Sequence, residues 1–151
     1  MISTELIRRY PYFAGLTNEE INFLAKNADE TTVEKDHYFF HEGDPLDHIY
    51  IIIEGGVALT YNLPQKNKEL TISTLGAEEV FGWSGLVAPH IATADAKSIS
   101  TCRVISFDCK ALRQKFEEDC HFGYLMMSMV AQVLRDRLRD FRIESLAFLT
   151  D

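Results

Sequence analysis

The run His48-Ile49-Tyr50-Ile51-Ile52-Ile53-Glu54-Gly55-Gly56-Val57-Ala58-Leu59-Thr60-Tyr61 decides the fold. Two stretches rich in β-branched and aromatic residues flank a Glu-Gly-Gly that supplies the glycine of a tight turn, so the run reads as two strands and their connection. The same texture extends outward in both directions. Tyr38-Phe39-Phe40 precedes it, and Leu70-Thr71-Ile72-Ser73-Thr74-Leu75 and Arg103-Val104-Ile105-Ser106-Phe107 follow. Glu42-Gly43-Asp44-Pro45 and Asn62-Leu63-Pro64-Gln65-Lys66-Asn67-Lys68 supply further turns. Short strands broken at intervals of about ten residues are the layout of a sandwich or barrel, here over 31–108.

Helical signals stand on either side. Thr17-Asn18-Glu19-Glu20 fits a capping box, Leu16 can staple onto Ile21, and Ile21, Leu24, Ala25 and Ala28 repeat at helical spacing. The expected helix covers 18–27, within an N-terminal helical segment of 1–30. After Asp108, a candidate cap, Ala111, Leu112 and Phe116 form a short amphipathic piece. A long helix is expected from Asp119 to about Phe148, in a C-terminal segment of 109–151. Met127, Leu134, Phe141 and Phe148 fall at heptad spacing, with Ala131, Leu138 and Ser145 interleaved, which predicts a dimer seam. Leu125, Met126, Met129, Val130 and Val133 form a second apolar face for packing on the chain's own domain. Around the seam lie Arg135, Asp136, Arg137, Arg139, Asp140 and Arg142, as in an exposed coiled coil.

Composition narrows the function. The 151 residues, 46% hydrophobic, suit one domain with a sizeable core. A net charge of −8 opposes contact between this segment and a nucleic acid or an anionic membrane. No export signal or bilayer-length apolar run is visible, so a cytoplasmic protein is expected. Cys102, Cys109 and Cys120 form no C-x-x-C pair and read as reduced thiols, buried or inert. His37 and His41 would share a strand face, with His48 further on, but the H-x-H-x3-4-E pattern of a cupin site is absent, so no metal is expected. No nucleophile motif, P-loop or dinucleotide fingerprint appears, which points away from an enzyme.

Glu42-Gly43-Asp44, then Tyr50-Ile51-Ile52-Ile53-Glu54-Gly55, then Gly76 followed by Val80-Phe81-Gly82, resemble the successive signatures of the cyclic nucleotide-binding domain, from about Leu6 to the C-terminus. Ser145-Leu146-Ala147-Phe148-Leu149 is similar to the hinge that joins the dimer helix to a DNA-binding domain in catabolite-activator (Crp/Fnr) regulators. The resemblance implies a mainly β domain, a double-stranded β-helix jelly roll with short N-terminal helices and a long C-terminal dimerisation helix. It implies a homodimeric effector sensor, either stand-alone or the regulatory part of a transcription regulator.

In that family a Gly-rich turn and short helix hold the cyclic phosphate through amides, a Glu binds the ribose and an Arg pairs with the phosphate. The corresponding residues here are Gly82, Trp83, Ser84, Gly85, Leu86, His90, Ile91, Ala92 and Thr93. Trp83 stands at the Glu position, His90 at or within one residue of the Arg, and Ile91 at the following Ser or Thr. Losing the partner of a buried charge costs roughly 2 to 5 kcal/mol. The expectation is therefore a small-molecule effector other than cyclic AMP, between the jelly roll and the long helix, with no cofactor fixed. Cyclic AMP or cyclic GMP binding is the second reading, and a ligand-free dimerisation module whose pocket Trp83 fills is the third.

Overall fold

A computed structural model of the chain describes residues 1–150, so Asp151, the end of the expected C-terminal segment, lies outside the described residues. The capping box is formed. Thr17 Oγ1 accepts from the Glu20 amide at 3.1 Å, and Glu20 Oε1 accepts from the Thr17 amide at 2.8 Å. The helix it starts, α2 (Asn18–Lys26), follows a shorter one, α1 (Thr4–Arg8), and a 3-10 turn at Pro11–Phe13. Leu16 and Ile21 both enter the core. Ala28 is a correction. It opens a strand rather than closing the helix, because Asn27 leaves the helical region at φ −106° and Ala28 then pairs with Phe107.

Eight strands follow: β1 (Ala28–Val33), β2 (Tyr38–Phe40), β3 (His48–Glu54), β4 (Val57–Leu63), β5 (Lys68–Leu75), β6 (Val80–Phe81), β7 (Asp95–Ser98) and β8 (Cys102–Asp108). They form two antiparallel four-stranded sheets, ordered β1-β8-β3-β6 and β2-β7-β4-β5, a jelly roll. Strand β3 explains its own sequence. Ile49 and Ile51 face a core shared with the helices, while Ile52 faces the core between the sheets, so alternate positions on both faces are apolar.

The sheet-to-sheet core gathers Phe40, Ile52, Val57, Leu75, Phe81 and Val104. Outside the first sheet, Ile7, Phe13, Leu24, Leu112, Phe122 and Met126 cover Ile105 and Phe107. Asp108 caps α3 (Cys109–Glu118), its carboxylate accepting from the Ala111 amide at 3.2 Å. Asp119 does the same for α4 (Cys120–Thr150), accepting from the Phe122 amide at 3.1 Å.

The two faces of α4 are as the spacing predicts. Met126, Met129, Val130 and Val133 are buried in the domain and Leu125 packs against that core. Met127, Ala131, Leu134, Leu138, Phe141 and Phe148 are exposed, Met127 at 37% and Phe148 at 87%. The Ser145 hydroxyl donates back to the Phe141 carbonyl. Cys102 and Cys109 are buried, whereas Cys120 is exposed. Among the described residues, no helix is long and apolar enough to cross a membrane.

Candidate ligand-binding site

The site is built on two glycines. Gly82 has φ +81°, and a Cβ there would lie 3.0 Å from the His48 carbonyl oxygen, so only glycine meets both demands. It turns the chain from β6 into a 3-10 helix, Trp83–Leu86. Gly85 packs so closely under this turn that a Cβ would stand 2.6 Å from Cys109 Sγ. The Arg113 guanidinium donates to the Gly85 carbonyl. Helix α3 is therefore seated directly on the turn. Burial pushes the Cys109 thiol up to about 12, against the opposing pull of Arg113, so it packs as a neutral thiol.

Beyond Val87 the chain doubles back. His90, at φ +64°, donates its amide to the Val87 carbonyl at 2.9 Å and accepts at its own carbonyl from the Leu46 amide at 2.8 Å. Ile91 bridges Pro45, and Ala92 donates to the Asp44 carbonyl at 2.8 Å. The Glu42-Gly43-Asp44-Pro45 turn is thereby fastened to His90-Ile91-Ala92. The Asp95 carboxylate, nearly buried, accepts from the Glu42 amide and holds the base of that turn.

Between these pieces lies a pocket of about 40 Å³, lined by Phe40, Leu46, Leu59, Phe81, Gly82, Trp83, Ser84, Thr93 and Ala94. That is room for a few waters. Four of the nine expected ligand residues, Gly82, Trp83, Ser84 and Thr93, line it. Gly85 and Leu86 are buried beneath, Ala92 belongs to the core between the sheets, and Ile91 is 41% exposed on the outer turn. His90 is half-buried in that turn and lines no part of this pocket. Trp83 forms a wall and packs against the core shared with the helices.

The apolar walls Phe40, Leu46, Leu59 and Phe81 carry no sequence signature distinguishing a pocket wall from ordinary core. Phe81 stacks on Tyr50 with ring centroids 4.7 Å apart and planes 8° from parallel. No residue of α4 lines the pocket, which departs from the expectation of a ligand between jelly roll and helix. A polar contact ties the long helix to the strand that leads into the site. Strand β6 is a sheet edge, and the Arg137 guanidinium donates to its Val80 carbonyl, one residue before Phe81. Burial lowers the pKa of Arg137, with Glu79 opposing.

Comparison with known proteins places the fold in a family. The chain is 28% identical over 131 residues to a CRP-like cAMP-activated global transcriptional regulator of Mycobacterium tuberculosis, a match covering 87% of the chain and 58% of the regulator. The chain thus spans little more than half the length of that relative. A solved Geobacter metallireducens protein described as cyclic nucleotide-binding superposes with a TM-score of 0.83 at 30% identity, covering 91% of this chain and 99% of that one. The N-terminal domain of a Streptomyces coelicolor transcriptional regulator superposes with a TM-score of 0.68 at 27% identity, covering 89% of this chain and 94% of that one. The Cyclic nucleotide-binding domain profile matches residues 30–119, which include all but the first two strand residues and the whole glycine turn, and the chain belongs to that family.

Proposed function

We propose that the chain is a homodimeric effector-sensing domain of the Crp/Fnr type, one unit over 1–151, acting in the cytoplasm alone or as the regulatory part of a transcription regulator. Its effector is a small molecule other than cyclic AMP, held beside Gly82. One observation carries this reading: the pocket at the glycine turn is walled by Phe40, Leu46, Leu59, Phe81 and Trp83 and lined by no ionised side chain. A cyclic nucleotide brings a phosphate charge that such walls leave unpaired. Ser84, Thr93 and turn amides suit a compact, weakly polar ligand.

Dimerisation runs through Met127, Ala131, Leu134, Leu138, Phe141, Ser145 and Phe148 of α4. A ligand that displaces Phe81 or Gly82 moves the Val80 carbonyl, and with it Arg137, between Leu134 and Leu138 of the seam. Two states of the helix pair can be biased in this way. The small size of the pocket favours the competing reading of a ligand-free dimerisation module. The name of the Mycobacterium tuberculosis relative favours cyclic AMP.

Trp83 is the sole tryptophan, so its fluorescence reports on the pocket. Calorimetry and Trp83 fluorescence against cyclic AMP, cyclic GMP and a panel of uncharged metabolites should give no cyclic nucleotide response and one responding neutral compound. Stoichiometric cyclic AMP binding would replace this reading with the cyclic nucleotide one. No response to any compound would leave the dimerisation module.

A further inference from the structure

We propose that Glu20, Asp119 and His121 form a binding site for one divalent transition-metal ion of the Zn(II) class, which clamps the start of α2 to the start of α4. The site lies apart from the glycine-turn pocket, and none of its residues lines that pocket.

One ligand atom from each residue lies within 4.8 Å of the other two, close enough for all three to converge on a single ion. Glu20 anchors the group. Its side chain is only 4% exposed, and both its oxygens stand 3.0 Å from His121 Nδ1.

Charge points to a cation. Two carboxylates converge here, and among the described residues no Lys or Arg pairs with either. The His121 imidazole pairs with Glu20. One nitrogen and two carboxylate oxygens form a donor set of the kind that binds Zn(II) and its neighbours in the transition series. His121 is 54% exposed, so the site opens to solvent on that side, where water completes the coordination.

Helix capping supplies the orienting contacts. Thr17 donates its amide to Glu20 Oε1, and Phe122 donates to Asp119 Oδ1, so each carboxylate is held by a backbone amide of its own helix cap. Backbone donors fixing the ligands from behind are the usual support of a metal site. On loading, His121 Nδ1 turns its lone pair to the ion, and any proton it carried is released to solvent. Cys120, though exposed and adjacent in sequence, is not one of the three converging residues.

The test uses the whole chain, freed of metal with a chelator and titrated with Zn(II) by calorimetry and with Co(II) by visible absorption. One ion per chain is expected. His121→Ala and Asp119→Asn should each weaken binding roughly tenfold or more, while Cys120→Ser binds like the parent. Asn preserves the helix cap, and circular dichroism of the metal-free variants separates lost ligation from lost folding. Absence of binding by the parent overturns the proposal. So does parent-like binding by both ligand variants, or loss of binding in Cys120→Ser.

Discussion

At the scale of single residues, glycines carry the site. Gly43 and Gly82 both have positive φ, at +89° and +81°, but a Cβ at Gly43 meets nothing within 4 Å, whereas one at Gly82 meets the His48 carbonyl oxygen at 3.0 Å. Gly82→Ala should therefore lower stability by about 1 to 3 kcal/mol, and by more than Gly43→Ala, in urea unfolding. Equal losses would mean that only backbone strain, and not the close approach to β3, requires Gly82. Glu20 gives a second expectation. Its folded pKa is depressed, so its contribution to stability is fully present above the unfolded value and is lost as pH falls through the lower folded value. Acid unfolding of Glu20→Gln should show a shallower fall in stability below about pH 4.3. A curve parallel to the parent's would show that Glu20 is not the titrating group. The capping residues were legible because a capping box is a local signal. The pairing of Glu20 with His121 was not, since the two lie 101 residues apart.

At the scale of elements, legibility followed composition: the three residues of β2, all aromatic, read as a strand, whereas the six residues of β1, Ala28-Asp29-Glu30-Thr31-Thr32-Val33, did not. Strands β3, β4 and β8 stand out through their share of β-branched and aromatic residues. β6 has two residues, too few for any alternation, and β7, Asp95-Ala96-Lys97-Ser98, has only Ala96 to mark an inward face. Both are strands because neighbours pair with them: β6 with β3, and β7 with β2 and β4. The apolar stripe of α4 that the spacing picks out is exposed beside a buried face, and this gives the third expectation. Leu134→Asp or Leu138→Asp places a charge at the heptad core and should produce monomers by light scattering, with the fold retained in circular dichroism. Dimers persisting unchanged in both variants would place the interface elsewhere.

At the scale of the molecule, one contiguous core joins the N-terminal helices, the outer face of the first sheet, α3 and the first half of α4. The second half of α4, beyond Arg137, keeps no buried residue through Leu149. Apolar side chains at Leu138, Phe141 and Phe148 are most readily covered by a second copy. A folded state that gains stability from association unfolds at a temperature that rises with protein concentration. Thermal unfolding across a wide concentration range should show that rise in the parent and lose it in Leu134→Asp. A midpoint independent of concentration in the parent would count against the homodimer.

The sequence by itself determined a β sandwich or barrel, the flanking helices and the two faces of α4, because strand composition, caps and heptad spacing act over neighbouring residues; the family resemblance narrowed that to a jelly roll. It also marked Gly82 and the residues after it. Only the tertiary structure decided which of these face the pocket. Gly82, Trp83, Ser84 and Thr93 line it, while His90 and Ile91 are drawn onto the Pro45–Leu46 turn by backbone hydrogen bonds from a distant strand connection. The contacts of Arg113 and Arg137 with the site, and the meeting of Glu20 with His121, likewise required the fold. A long-range contact depends on how separate elements pack, and no local pattern in the chain encodes its partner.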